Sequence, residues 1–361
     1  MMKNLTLCAI LAILTAVLLS ACAAPPPAKP TPPRLAKELV FYDWEDDMPQ
    51  EVLDDFKAEY GVEVKYVTYT ASEEAMENIS RGQVYDVVVI ESRLIPILVA
   101  ERQLAEIDSR NVPNRKNISA NFRDLAYDPE NKHNVPFNWG TTGLVLRSDL
   151  VKQPITRWAD LWDPRYAGKV GIWKGQSREI ISLTLKSLGY SANSEKPAEL
   201  QAALKRLLTL KSNVVFLEDF DPVTAAPPLV EGRLVFAMGY AADVLKAREK
   251  NASISYVLPE EGALLWGDTF VIPANSPNKY TAELFLNFIL RPQVSAKITN
   301  YNFYPMPNDA AAPFIDPQIL NDPVIFPHAE DLRKGEIVLP LGSQGQKLYD
   351  SIWEQFLATG N

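Results

Sequence analysis

Carboxylates are the chemistry-bearing side chains this chain has in quantity. There are 45 Asp and Glu against 36 Lys and Arg and 2 His in 361 residues. Three acids, Glu45, Asp46 and Asp47, directly follow Trp44, and Asp268 follows Trp266 by two positions. Carboxylate pairs can serve as general acid and base in glycoside hydrolysis, or acids can hold a cation. Other routes to catalysis are missing from the sequence. His133 and His328 stand apart in polar or Pro-flanked surroundings, as surface or loop residues do, and neither belongs to a zinc-spaced pair. No G-x-S-x-G, H-E-x-x-H, Walker A or G-x-G-x-x-G string occurs. The expectation is a protein that is not an enzyme and that carries neither metal nor cofactor.

Thiol chemistry is confined to the front of the chain, where the only cysteines, Cys8 and Cys22, lie. Lys3 gives a basic start, Leu5 to Leu19 is apolar apart from Thr6 and Thr15, and Leu19-Ser20-Ala21-Cys22 comes directly after. This order describes a secretory signal over residues 1–21. A Cys directly behind small residues resembles the lipobox of bacterial lipoproteins, which implies a diacylglycerol on Cys22 and a membrane anchor there. The competing reading, an uncleaved membrane helix, needs a run this one barely reaches. Residues 22–35 contain AAPPPAKPTPP, a Pro-rich, semi-rigid tether. Beyond Cys22 no thiol is left for a disulfide, a metal or catalysis.

Positioning the acids falls to the strands and helices behind the tether. The remaining chain is long for one domain and natural for two. Hydrophobic content of 47% with 10% aromatics permits a sizeable core. Loss of Lys3 with the signal takes the formal charge from −9 to −10. That balance opposes nucleic-acid binding, which uses basic patches, and suits a cationic ligand. Glu38 to Asp43 reads as a strand. Pro49 to Tyr60 reads as a helix with Val52, Leu53, Phe56 and Tyr60 on one face and Gly61 as its stop. Val62 to Thr68 alternates like a strand, Ser72 is placed to cap a short helix, and Asp86 to Ile90 is a buried β-branched run. Further strands are expected at 144–146, 169–173, 214–217, 234–238, 254–258 and 268–272, with helices at 178–188, 197–211 and 281–290. Such alternation implies an open α/β sheet.

Six strings together resemble the spermidine/putrescine-binding proteins of bacterial ABC transporters: FYDWEDDMP, VPFNWGTTGLVLRSD, ITRWADLWDPRYAGKV, SREIISLTLKSLGYS, WGDTFVIPANSPNK and FYPMPN. The resemblance runs from about Glu38 to the end. It implies an α/β, two-lobed, type II periplasmic-binding-protein-like fold with a hinge and a ligand cleft between lobes. Lobe 1 would cover 36–140 and 267–312, and lobe 2 would cover 141–266 and 313–361. It further implies an exported, lipid-anchored monomer, facing the periplasm or the outer surface, that passes a polyamine to the permease subunits of an ABC importer.

Ligand residues carry over position by position. Trp44, Glu179, Trp266, Asp268 and Tyr304 are the residues the family has. Asp46 stands for a Glu and Tyr240 for a Trp, and both keep the chemistry. Asp47 replaces an aromatic residue, Glu45 a hydroxyl residue, Gln176 an Asp and Val338 an amide, while Arg93 falls where the family has a Tyr. The implied site is Trp44, Asp46, Asp47, Arg93, Gln176, Glu179, Tyr240, Trp266, Asp268 and Tyr304. Its chemistry is coherent: acids meet ammonium groups, and aromatic faces attract cations while covering methylenes. Trp139, Trp158 and Trp162 read as packing. Arg93 would repel a bound diamine unless Glu45 or Asp47 neutralises it across the cleft. Alternatively it receives the carboxylate of a zwitterionic, amino acid-like ligand. A ligand-binding surface sensor is a further reading, and a carboxylate-based surface hydrolase the last.

Overall fold

The computed structural model describes residues 33–70, 72–125, 127–217 and 227–358. The expected signal (1–21), Cys22 and most of the tether lie outside them. In chain order the elements are β1 (Glu38–Trp44), α1 (Gln50–Tyr60), β2 (Glu63–Tyr69), α2 (Ser72–Ser80), β3 (Val87–Glu91) and α3 (Ile95–Ala100). The long β4 (Asn134–Arg147) precedes β5 (Val170–Trp173), α4 (Ser177–Ser187), α5 (Pro197–Leu210), β6 (Val214–Leu217) and β7 (Phe236–Tyr240). Next come α6 (Ala241–Lys250), β8 (Ile254–Val257), β9 (Leu264–Val271), α7 (Lys279–Ile289) and α8 (Pro292–Asn302). β10 (Glu336–Ile337) and α9 (Ser343–Ala358) end the described chain.

Local sequence explains most of these. In α1 the expected face is buried at Val52, Leu53 and Phe56, and Gly61 closes the helix in the left-handed region (φ 68°), its N–H donating to Lys57 O. A side chain there would carry the steric cost that glycine avoids. Ser72 differs from expectation: it lies within α2, and its hydroxyl is buried without a hydrogen bond among the described residues. Val87 to Ile90 are fully buried on both faces, as a continuous β-branched run requires.

The strands pair in the order β2-β1-β3-β9-β4-β7-β5-β6, with β8 beside β4 and β10 beside β9. Two cores flank this path, which makes the fold two-lobed. In the first, Val52 and Phe56 of α1 and Phe285, Leu286 and Ile289 of α7 cover Leu39, Phe41, Val87 and Phe270. On the sheet's other face Tyr42, Val88 and Ile90 meet Ile79 of α2 and Leu98 of α3. In the second, Leu144, Leu146, Ile172, Phe236 and Met238 pack with Ile181 of α4, Leu204 of α5 and Trp353 of α9. Each such large side chain, fully buried, contributes about 1.5–3 kcal/mol.

Two strands are longer than their sequence suggests. β4 occupies 134–147 rather than 144–146, and β9 begins at Leu264, so Trp266 and Asp268 lie inside it rather than at its start. The cause is tertiary. Pro136, Gly140 and Gly143 in β4 and Gly267 in β9 make poor isolated strands, but each strand is held by partners on its sides. β4 carries Val135 and Phe137 in the first core and Leu144 to Leu146 in the second. β9 runs antiparallel beside it from Asn134↔Val271 to Thr142↔Leu264, with a register shift between Pro136 and Trp139. β4 thus crosses from one core to the other, and β9 runs beside it. Helices α6 and α8 escaped the sequence reading because half-polar stripes, such as Ser295, Thr299 and Asn302 of α8, are buried.

Candidate functional site

Strand ends converge where the cores meet. β1 and β3 are parallel and end at Trp44 and Glu91, while β5 and β7 are parallel and lead to Gln176 and Tyr240. Carboxyl ends of parallel strands are where open α/β sheets bind ligands. β9 passes antiparallel beside β3 in a register that sets Asp268 directly opposite Glu91. Like charges in directly opposed positions destabilise a sheet, so this pair needs a reason other than stability.

Aromatic rings form the frame. Trp266 meets Tyr240 edge-on at 5.3 Å and 68° and Tyr304 at 5.2 Å and 77°. Trp44 leans on Tyr69 at 4.6 Å, and the Tyr69 hydroxyl donates to Val89 O at 2.6 Å. A Cβ on Gly140 would stand 2.4 Å from Trp266 Cζ2, so only glycine lets the indole lie on β4. Gln176 Nε2 donates to the Tyr240 hydroxyl at 3.1 Å, and the Tyr304 hydroxyl donates to Asp243 Oδ1 at 3.3 Å.

The carboxylates share one environment. Burial first, then the charges of Glu91 and Asp47, hold Asp268 well above the usual carboxylate range. Arg93 opposes that, as does the Trp44 indole N–H, which faces Asp268 without full hydrogen-bond geometry. Asp43, fully buried, is likewise raised by burial and by Asp47 and Asp268, although the Trp44 N–H donates to its Oδ1 at 2.8 Å. Burial pushes Asp47 up to about 7, opposed by the Asn138 amide at 3.4 Å and by Lys246. Burial and Glu91 raise Glu179, at the start of α4. The Tyr240 phenol is raised by burial and then by the charges of Glu179, Glu91, Asp243 and Asp268.

Most of the expected residues are therefore together: Trp44, Asp47, Arg93, Gln176, Glu179, Tyr240, Trp266, Asp268 and Tyr304. Asp46 is exposed at the rim, in a left-handed turn (φ 60°) that swings Asp47 inward, and Glu45 beside it is exposed too. Arg93 meets an acid that the sequence reading did not name, Glu91, reached by Nε at 2.5 Å and Nη2 at 3.2 Å. The turn Ser92–Leu94 directly after β3 brings side chains two residues apart onto the same carboxylate. Val338 packs with Ala192 and Leu264, while Trp158 is fully buried and Trp162 half-buried, both packing in the second core.

Sequence reasoning missed Asp43, Glu91, Asn138 and Asp243. Glu91 had a signal: it closes a buried parallel strand, as the acids after Trp44 nearly do. Trp266 Nε1, Asn138 Oδ1 and Gln176 Oε1 are buried and make no hydrogen bond among the described residues. Buried polar atoms are nearly always partnered, so three here mark a place shaped for something polar. An open groove of about 770 Å³ lined by Arg157, Lys186, Tyr190, Glu261, Lys334 and Glu336 contains none of these residues. Its charges satisfy one another, as Lys186 and Glu336 do at 2.8 Å, so it offers an organic cation little.

Raised carboxylates, flat rings and unmet polar atoms together can hold an amine whose charges are separated by methylenes. Comparison with known proteins agrees. The profile of the family described as bacterial extracellular solute-binding protein matches residues 51–327. The spermidine/putrescine-binding periplasmic protein of Escherichia coli K12 is 32% identical over 323 residues, covering 89% of this chain and 91% of that one. The structure of the spermidine/putrescine ABC transporter substrate-binding protein PotD from Streptococcus pneumoniae superposes with a TM-score of 0.81 at 28% identity, covering 89% and 99%. The PotD lipoprotein of Treponema pallidum gives 0.80 at 25% identity, covering 88% and 99%.

Proposed function

This chain belongs to the bacterial extracellular solute-binding protein family, and from that premise we propose that it captures a polyamine outside the cytoplasm and delivers it to an ABC importer. The family is one of transport proteins and not an enzyme class. The observation that carries the polyamine reading is the buried acid Asp268, set opposite Glu91 and raised by the charges of Glu91 and Asp47 even with Arg93 paired to Glu91, with Glu179 raised likewise. Such repulsion is relieved by a cation placed among the acids, and Trp44, Trp266, Tyr240 and Tyr304 supply faces for the alkyl chain. The names of relatives from Escherichia coli and Streptococcus pneumoniae support the same ligand class. A zwitterion held by Arg93 fits less well, because one edge of the guanidinium fork already grips Glu91.

Around this site the chain divides into lobe 1 (36–140 and 267–312) and lobe 2 (141–266 and 313–361), hinged on β4 and β9. A loaded, closed form docks on the permease. Export through the signal and an anchor at Cys22 keep the protein at the membrane; the Treponema relative is itself described as a lipoprotein. Among the described residues no helix is long and apolar enough to cross a membrane.

Calorimetry on the purified chain with putrescine and spermidine tests the ligand. Asp268→Asn should weaken amine binding by roughly 30-fold or more, the cost of removing one partner of a buried charge pair. The same substitution should raise the melting temperature of the unliganded protein, because it removes a buried acid held beside other acids. Unchanged affinity for both amines in that variant sinks the assignment.

A further inference from the structure

We propose that Arg93 is a specificity-determining residue, a built-in cation that occupies on Glu91 the place of one ligand ammonium and so selects amines with two charged ends over amines with three. The inference rests on the polyamine reading and adds the charge of the ligand to it.

Three carboxylates converge at this end of the site: Glu91 and Asp268 face each other across β3 and β9, and Glu179 at the start of α4 is raised by the charge of Glu91. Arg93 is the cation that acts on all three. It binds Glu91 through Nε and Nη2, and its charge lowers the pKa of both Asp268 and Glu179. The pair is sheltered, with the Arg93 side chain 20% and the Glu91 side chain 26% exposed, so water screens it poorly. Arginine does not lose its charge in proteins, and its planar fork matches a carboxylate edge.

The fixed charge acts in two ways. Glu91 is committed to the protein's own guanidinium, which leaves Asp268 and Glu179 for one ligand ammonium. A further ammonium on the ligand would have to lie near Arg93, whose acid Glu91 is already taken. Specificity built this way comes from repulsion of the wrong ligand as much as from attraction of the right one. The short turn Ser92–Leu94 sets the guanidinium only two residues from its acid, so the device moves with β3 as a unit.

The experiment compares the wild-type chain, Arg93→Gln and Arg93→Lys by calorimetry with putrescine, which has two ammonium groups, and spermidine, which has three. The wild type should prefer putrescine. Arg93→Gln should shift the spermidine-to-putrescine affinity ratio toward spermidine by roughly tenfold or more, and Arg93→Lys, which keeps the charge, should shift it far less. A ratio in Arg93→Gln equal to that of the wild type, with both amines still bound, overturns this inference and leaves the polyamine reading standing. Equal shifts in the Gln and Lys variants overturn it as well, since charge would then not be the cause. Binding of neither amine to the wild type removes the underlying reading and this inference with it. Binding of 4-aminobutyrate that is lost in Arg93→Gln assigns the guanidinium to a ligand carboxylate and also overturns it.

Discussion

Asp47 has a carboxyl raised from 3.8 to about 7, chiefly by burial, with Asn138 and Lys246 pulling the other way and Asp46 adding to the rise. A folded-state value above the unfolded one means that the fold retains a proton the unfolded chain gives up. The stability tied to this proton is complete below about pH 4 and is lost as the pH rises through about 7. A bound ammonium acts in the opposite direction, because it favours the carboxylate. Amine binding below pH 7 should therefore expel a proton, and affinity should fall as the pH is lowered from 8 to 6. Titrations in buffers of different ionisation enthalpy would measure that release. In Asp47→Asn the slope of affinity against pH should flatten over this window; an unaltered slope would assign the proton to another group. Asp46, by contrast, is exposed and serves through its backbone: its left-handed φ turns the chain so that Asp47 faces inward.

At the scale of elements, the paired strands β4 and β9 bring ring and acid together. Trp266 lies against Gly140, its register partner, and is flanked edge-on by Tyr240 and Tyr304. Gly140→Ala would place a methyl 2.4 Å from Cζ2 of that indole, so the ring or the strand must move. The expected cost is about 1–3 kcal/mol of stability, as for other overpacked sites, together with weaker amine binding. Chemical denaturation and calorimetry on the same variant would show both. Affinity held at the wild-type level would mean that the Trp266 position is not part of recognition. Helix α4 is positioned more firmly: Arg178, next to Glu179, donates to Ala192 O at 3.0 Å, Asn193 Oδ1 at 2.8 Å and Leu339 O at 3.2 Å. Those contacts tie the start of the helix to the loop that follows it and, through Leu339, to the segment before α9.

For the whole molecule, residues from both cores surround one site. Trp44, Glu91 and Asp268 belong to strands of the first, while Glu179 opens helix α4 and Tyr240 closes strand β7 of the second. A ligand that touches both sides binds a closed form better than an open one, and only that difference can shift the equilibrium. Saturating putrescine should thus reduce the radius of gyration measured by small-angle scattering for the wild type. Asp268→Asn at the same concentration should show little change. Equal radii with and without ligand, at concentrations where calorimetry shows binding, would argue against closure.

The sequence by itself determined the alternation of strands and helices, the buried β-branched run at Val87 to Ile90, the stop at Gly61 and the family resemblance. Each of these depends on residues close in the chain, or on short strings compared with others. Acids and rings beside predicted strand ends were legible for the same reason. Only the tertiary structure decided that β4 runs from Asn134 to Arg147 and that β9 carries Trp266 and Asp268 in its interior, because neighbouring strands offset the weakness that glycine and proline bring to those segments. It also decided that Glu91 opposes Asp268. Cross-strand partners are set by register between segments far apart in the chain, whereas the Glu91–Arg93 contact, two residues apart, depends on the local turn at Ser92–Leu94 that ends the strand.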